Sequence, residues 1–366
     1  MAHFAAHALG DLDLWSIPSM RWGERHEADT NSSPEIAAYQ VNLARGGIVF
    51  SMHSNHYASD VVGGSNFTRR LAENCCAISN NTPFSEWDPR LIDVTHFTKD
   101  LPEEALVDGP PLQQRHADHP EQACVVFHLP LSKAAQLKEM AIPWTVDLVP
   151  HQISTFDATC AYIWRMLSKV RAPLYRPDLS KKLWWAEAVD VRGRLESPPF
   201  EEDIMKRMMR NILASAFSDM TDIEQLTAAE VISDAPLAIL ARYIRRLTNS
   251  CTQQHLESLI DAIAKIRDKR STSLRVDAHP SMSMFVTDHR KGDISSFDFG
   301  FAKPITYRHL WGSLITTGLI LIYAPICSDA SPDEVCMFTI TKEKELVPKL
   351  LEDPEWTKYF EYRGVD

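Results

Sequence analysis

Apolar residues recur at spacings of four and three through Phe156, Cys160, Ile163, Leu167 and Val170, a stripe that one face of a helix can bury, and this predicts a helix over 156–171. Thr155 is its expected N-cap, Lys169 and Arg171 suit the negative end of the helix dipole, and Pro173 is expected to stop it. A second stripe, Leu256, Ile260, Ile263 and Ile266, predicts a helix over 253–267 beside another over 236–247. Shorter helices are expected over 66–74 and, behind a Ser132 cap, over 133–141. The pattern changes in Gly47-Ile-Val-Phe-Ser-Met-His53, an apolar and β-branched run behind a Gly-Gly turn signal, and again in Ala123-Cys-Val-Val-Phe-His-Leu129; both predict buried strands. Residues 314–327 form the most apolar run. Thr316-Thr-Gly318 and Pro325 break it, and it is too short to cross a bilayer, so it reads as a core strand. Irregular alternation of strands and helices, without an internal repeat, predicts a mixed α/β architecture.

Residues 96–122 lack periodicity and concentrate proline, charge and histidine, which marks a crossover linker. The chain thus divides into residues 1–95, the linker 96–122, and a larger unit over 123–366. At 366 residues it can hold two domains with sizeable cores. A formal net charge of -11 argues against nucleic-acid or anionic-membrane partners, which demand clustered lysine and arginine. The seven cysteines are odd in number and show no metal-ligand spacing, so no metal site is expected and the thiols read as reduced and cytosolic. Sequons begin at Asn31, Asn66 and Asn80, but without a basic region and apolar core at the N-terminus they carry little weight.

Candidate chemistry centres on His56-Tyr-Ala-Ser-Asp60. The spacing is not selective, since His-x-x-x-Asp also begins at His7, His96 and His289. What singles out His56 is its place after a predicted strand and before a predicted helix, where a scaffold can present an imidazole to a cleft. Downstream stands Asp298-Phe-Gly-Phe-Ala-Lys-Pro304. Further segments fall in order with these two: Thr155-Phe-Asp-Ala-Thr-Cys-Ala-Tyr-Ile-Trp-Arg165, Val189-Asp-Val-Arg-Gly-Arg194 followed by Pro198-Pro199, the late apolar strand over 319–324, and the tail Trp356-Thr-Lys-Tyr-Phe-Glu-Tyr362.

Together these segments resemble the BAHD acyltransferase family, and within it the fungal branch that includes the trichothecene acetyltransferases. The resemblance runs from about residue 40 onward. It implies a chloramphenicol acetyltransferase-like two-domain fold with the active-site channel between the domains, and a monomer. It implies acyl-coenzyme A, and most simply acetyl-coenzyme A, as co-substrate with no tightly bound cofactor. The acceptor would be a small-molecule alcohol, a hydroxylated secondary metabolite such as a terpenoid, polyketide or alkaloid. His56 would be the general base, suited by an unperturbed pKa near 6.5. Asp60 would be structural, and Asp298 would pair with Arg192 or, second, Arg194. Arg194, Lys303 and Arg308 are candidate coenzyme A phosphate contacts, equally explained as solvated surface charge. Of the adjacent Trp184 and Trp185, at most one can face any given cavity.

Several positions depart from the family pattern. Asn55, Val61, Phe301 and Ala302 are mild changes. His289 stands where many members carry a tryptophan whose N–H stabilises the tetrahedral oxyanion, and it could donate that bond only in the right tautomer. Only 55 residues precede His56, so the first domain is expected to be incomplete. Two readings from other classes stay open on the sequence: a shortened non-catalytic homologue that binds a ligand or partner, and a condensation domain sharing the His-x-x-x-Asp logic.

Overall fold

The computed structural model describes residue 15 and residues 36–142, 153–272, 274–292, 294–309, 316–325 and 334–365. An antiparallel hairpin of β1 (Ala37–Ala44) and β2 (Gly47–Ser54) turns through Gly46, whose φ of 94° suits glycine. Alternation puts Tyr39, Val41, Phe50 and Met52 on one face and Gln40, Asn42, Ser51 and His53 on the other. Part of the apolar face lies on α1 (Val61–Asn80), where the Tyr39 and Phe67 rings stack 6.0 Å apart and Thr68 meets Met52, while Val41 stays exposed.

Helix α1 is more than twice as long as the 66–74 span that periodicity predicts. Its first turn holds Gly63 and Gly64, which lower helix propensity, yet a Cβ on Gly63 would sit 2.7 Å from the Arg210 carbonyl oxygen. Close approach of two backbones requires glycine here, and tertiary contact overrides propensity. Asn66 is buried, and its amide donates to the carbonyls of Lys206 (2.8 Å) and Met208 (3.2 Å), which ties α1 to the larger unit.

After two 3₁₀ turns, Pro89–Ile92 and Glu103–Ala105, the chain enters β3 (Gln122–Pro130) and α2 (Leu131–Met140). There follow α3 (Thr155–Tyr175), β4 (Trp185–Asp190), α4 (Glu202–Arg207), β5 (Leu213–Phe217), α5 (Ala228–Ile232), α6 (Leu237–Ser250) and α7 (Gln253–Ala264). The chain ends with β6 (Met284–Asp288), β7 (Leu319–Ile322), β8 (Glu334–Glu343), α8 (Val347–Glu352), α9 (Pro354–Thr357) and β9 (Glu361–Val365). Seven strands form one mixed sheet in the order β5-β4-β6-β7-β8-β3-β9. The β4–β6 and β6–β7 pairs are parallel, which aligns the C-terminal ends of three central strands at one edge. Crossovers thereby deliver the segments after β4, β6 and β7 to the same side of the molecule.

Helix α3 packs in the core against this sheet, its Trp164 ring 4.9 Å from Trp185. Its cap is Ser154, not Thr155: the Ser154 and Asp157 side chains form a reciprocal capping box, which a lone Thr155 cannot match. Pro173 does not stop the helix. It forfeits one amide donor in the last turn, and the helix ends two residues later at Tyr175, the chain leaving through Arg176 in the left-handed conformation. Helix α2 begins at Leu131 with Pro130 at the cap position, so Ser132 is not its cap. Trp184 and Trp185 point to opposite faces of the sheet and are both buried. Trp184 donates to Asp219 at 2.9 Å and Trp185 to Glu187 at 3.0 Å, so both serve packing. Of the apolar run 314–327, β7 supplies the strand over Leu319–Ile322, while residues 314–315 and 326–327 lie outside the described residues.

Candidate active site

His56 lies where the sequence places it, on the short loop between β2 and α1, and it is exposed. Its backbone is held rather than loose. The Asn211 amide donates to the carbonyls of His56 (2.8 Å) and Tyr57 (2.9 Å), so one side chain just before β5 fixes two successive peptide units of the loop. Four residues on, Asp60 is buried and turned into the protein. Its Oδ1 accepts from Gly63 N–H (2.7 Å), capping α1, and its Oδ2 from Ile212 N–H (2.8 Å).

The expected pairing of Asp298 with Arg192 is not what the structure contains. Arg192 pairs with Asp60 in a two-pronged bond, Nη1 to Oδ2 and Nη2 to Oδ1, both at 3.0 Å, and its Nη1 also reaches Asp190 at 2.9 Å. Arg194 is no alternative partner for Asp298, because it lies exposed with its guanidinium donating to the Thr248 carbonyl. Asp298 is exposed and accepts from Gly300 N–H (2.8 Å), with Lys303 Nζ 3.8 Å away. Backbone approach explains the exchange. Arg192 follows β4 and lies beside the start of α1, whereas Asp298-Phe-Gly300 lies along the far half of that helix.

That second position gives the downstream motif a structural task. Gly300 has a φ of 82°, and a Cβ there would lie 2.7 Å from Ser79 Cβ and 2.8 Å from Cys76 Cα, both on α1. Phe297 is buried with Ala72 of α1, and Phe299 meets Phe50 of β2 edge-on at 6.2 Å. Both motifs are therefore fastened to one helix, His56 before its N-terminus and Asp298-Phe-Gly300 beside its C-terminal half.

His289 is brought to His56 by the larger sheet. It follows β6, donates its N–H to the Ile322 carbonyl (2.7 Å), and begins a turn that ends at Gly292. A Cβ on Gly292 would lie 2.9 Å from Val61 Cγ2, at the first residue of α1. The His289 ring is buried, and its Nε2 is 3.1 Å from Thr287 Oγ1. Its Nδ1 is buried without a hydrogen-bond partner among the described residues. Burial, with a smaller contribution from His56, pushes the His289 pKa down to about 3, so the ring is neutral at neutral pH. Like His56, His289 follows a strand end. His96 instead packs edge-on against Phe200, and His7 lies outside the described residues.

Residues that carry no motif complete the site. His309 lies with its ring centroid 5.1 Å from that of His289, its Nδ1 3.0 Å from Tyr323 Oη and its Nε2 3.3 Å from Tyr307 Oη. Asn211 and His309 gave no sequence signal, because neither belongs to a stripe or a spaced pair. Among the described residues no group of histidine, cysteine, aspartate or glutamate side chains could hold a metal ion.

Comparison with known proteins shows the family and the fold. The model of the Transferase family matches residues 24–323. The chain belongs to that family. Acetyltransferase FGR3 of Gibberella zeae is 45% identical over 365 residues, covering 100% of this chain and 72% of FGR3. Trichothecene 3-O-acetyltransferase TRI101 of Fusarium sporotrichioides is 27% identical over 347 residues, 91% of this chain and 70% of the enzyme. The crystal structure of F. graminearum TRI101 complexed with ethyl coenzyme A superposes with a TM-score of 0.70 at 25% identity, covering 90% of this chain and 70% of that one. The protein is thus a transferase of the BAHD type, similar to the fungal trichothecene acetyltransferases, with their chloramphenicol acetyltransferase-like fold.

In this transferase the three basic residues expected at a coenzyme A phosphate are not brought together. Arg194 is exposed beside α6, and Lys303 is exposed near Asp298. Arg308 is half-buried, its Nη1 donating to the Tyr307 carbonyl (2.7 Å) and its guanidinium 4.8 Å above the Tyr323 ring. Its place is in the wall beside His309 and not on the surface.

Proposed function

We propose that the protein is an acyl-coenzyme A-dependent O-acyltransferase, acetyl-coenzyme A being the preferred donor, that modifies a hydroxyl of a fungal secondary metabolite with His56 as general base. The observation that carries this reading is the division of labour between the two ends of the motif: Asp60 is consumed by structural bonds inside the protein, while His56 is exposed on a loop that Asn211 holds. Such a loop can hold the imidazole still without occupying its ring nitrogens.

In the reaction, neutral His56 takes the proton of the acceptor hydroxyl as its oxygen attacks the thioester carbonyl. The tetrahedral intermediate then collapses, the carbon–sulfur bond breaks, and the imidazolium returns the proton to the coenzyme A thiolate. No acyl-enzyme forms. His289 serves as oxyanion donor: with Thr287 Oγ1–H donating to Nε2, the neutral ring carries its proton on the unpartnered Nδ1, within electrostatic reach of His56. Removing one such donor typically lowers the rate by about 10² to 10³.

Residues 1–95 act as the subdomain presenting His56, 96–122 as the crossover, and 123–366 as the domain that supplies Arg192, His289 and the binding surface. The site works in the cytosol as a monomer. Cys75, Cys76, Cys160 and Cys251 are free thiols, which suits a reducing compartment, and no described helix is long and apolar enough to cross a membrane.

The test is acetyl-coenzyme A consumption by the purified protein against a panel of hydroxylated terpenoids, polyketides and alkaloids, with His56→Ala in parallel. Turnover that is lost in a folded His56→Ala supports the assignment. Full turnover in that variant removes His56 from the chemistry, and a folded wild type inert on every acceptor counts against the transfer reaction.

A further inference from the structure

We propose that His309 is a positioning residue for this reaction: clamped between two tyrosine hydroxyls, it closes off the back of His289 and fixes that ring in the tautomer whose Nδ1 carries the proton. This rests on the role given to His289 above.

The clamp is built from separate parts of the chain. Tyr323 follows β7 and is almost fully buried, while Tyr307 comes from the loop after the Asp298-Phe-Gly300 turn. Their hydroxyls stand 3.0 and 3.3 Å from the two nitrogens of one imidazole. Neither His309 nitrogen is thereby left to compete with Thr287 for a bond to His289, and the 57° tilt between the rings brings them into contact without stacking. Tyr323 also touches His289 edge-on, at 6.2 Å between centroids. His289 is therefore walled by His309 and Tyr323, and among the described residues the polar anchor of its ring is Thr287.

Electrostatics act in the same direction. The groups that face the pair are His56 from the loop before α1, Arg308 on the same loop as His309, and the phenols of Tyr307 and Tyr323. Among the described residues none of these is a carboxylate that would favour an imidazolium. Burial, then His289, His56 and Arg308, hold His309 well below its ordinary value, so it remains a neutral spacer. Replacing it by a smaller residue would leave a polar gap edged by two phenols, a place that water can enter. Hydrated His289 could then take a proton or change tautomer, and the oxyanion donor would be lost without any change at His56.

The experiment compares wild type, His309→Ala and His309→Gln, the glutamine keeping a donor and an acceptor and most of the volume so that a folded variant is available. Imidazole NMR of histidine-labelled protein reads the titration midpoint and tautomer of His289, and steady-state assays read kcat and KM for acetyl-coenzyme A. In His309→Ala the His289 midpoint is expected to rise by about one pH unit or more. The same variant should lose about ten-fold in kcat with KM changed less than about two-fold, and His309→Gln should recover most of both. A His289 midpoint and tautomer unchanged in both variants would overturn the proposal. So would a loss of kcat with His289 unmoved, since His309 would then act elsewhere. Should the wild type transfer no acyl group, the function proposed above falls, while the titration still decides this inference.

Discussion

Removing the Asp60 carboxylate tests the pairing that the fold selects. Asp60 and Arg192 side chains are 5% and 2% exposed and share two bonds at 3.0 Å, while Asp60 also accepts from the amides of Gly63 and Ile212. Asp60→Ala strands a buried guanidinium, a loss of about 3 to 5 kcal/mol, and removes an N-cap that contributes about 1 kcal/mol. Arg192→Met should cost less, because two backbone amides and the N-terminus of α1 still support the carboxylate. Asp298→Asn should cost about 0 to 1 kcal/mol, since Asp298 is 54% exposed and Lys303 stands 3.8 Å off. Urea unfolding at pH 7, followed by tryptophan fluorescence, gives each value, and the milder Asp60→Asn keeps a foldable variant in the series. A double-mutant cycle should return about 2 to 3 kcal/mol of coupling for Asp60→Asn with Arg192→Met, and less than about 0.5 kcal/mol for Asp298→Asn with Arg192→Met. Equal coupling in both cycles, or an Asp60→Asn cost below about 1 kcal/mol, would refute the reasoning.

Other consequences are as specific. Burial raises the Glu187 carboxyl to about 7, against the bonds from Thr248 (2.6 Å) and Trp185 (3.0 Å) that favour its charged form. Between about pH 4.5 and 7 the folded state then holds the extra proton, so stability contributed by this group falls as pH rises through that window, by up to about 3 kcal/mol. Glu187→Gln should flatten that slope in unfolding curves taken across the range. Lys342 acts on the other side of neutrality. Burial lowers it to about 7, its penalty is full below that value, and stability recovers as pH rises towards 10.5. Lys342→Met should therefore stabilise the protein at pH 6 and much less at pH 10. Gly300→Ala should destabilise by about 1 to 3 kcal/mol, because positive φ and contact with Ser79 and Cys76 act together; Gly46→Ala, also at positive φ but with open space around it, should cost less. Similar losses at the two glycines in thermal unfolding would remove the docking role given to Gly300.

The sequence by itself determined which segments become helix or strand where the apolar pattern is strong. The stripe Phe156, Cys160, Ile163, Leu167 and Val170 became α3, because a regular period records which face meets the core, and the apolar runs over 47–53 and 123–129 became β2 and β3; β3 is buried along most of its length as expected, whereas β2, in a two-stranded hairpin, stays largely half-exposed. It also set His56 on a loop between a strand and a helix. Tertiary structure decided what depends on two distant backbones meeting. Helix α1 starts at Val61, across two glycines, because Arg210 passes within contact of Gly63. Arg192 took Asp60 and left Asp298 to the surface, although the spacing along the chain gives no preference. His289 came to His56 through the seat of Gly292 on Val61, and His309 joined through tyrosines that no period connects. Local pattern encodes the environment of a face, whereas an ion pair or a ring contact depends on which segments the sheet order and helix packing bring side by side.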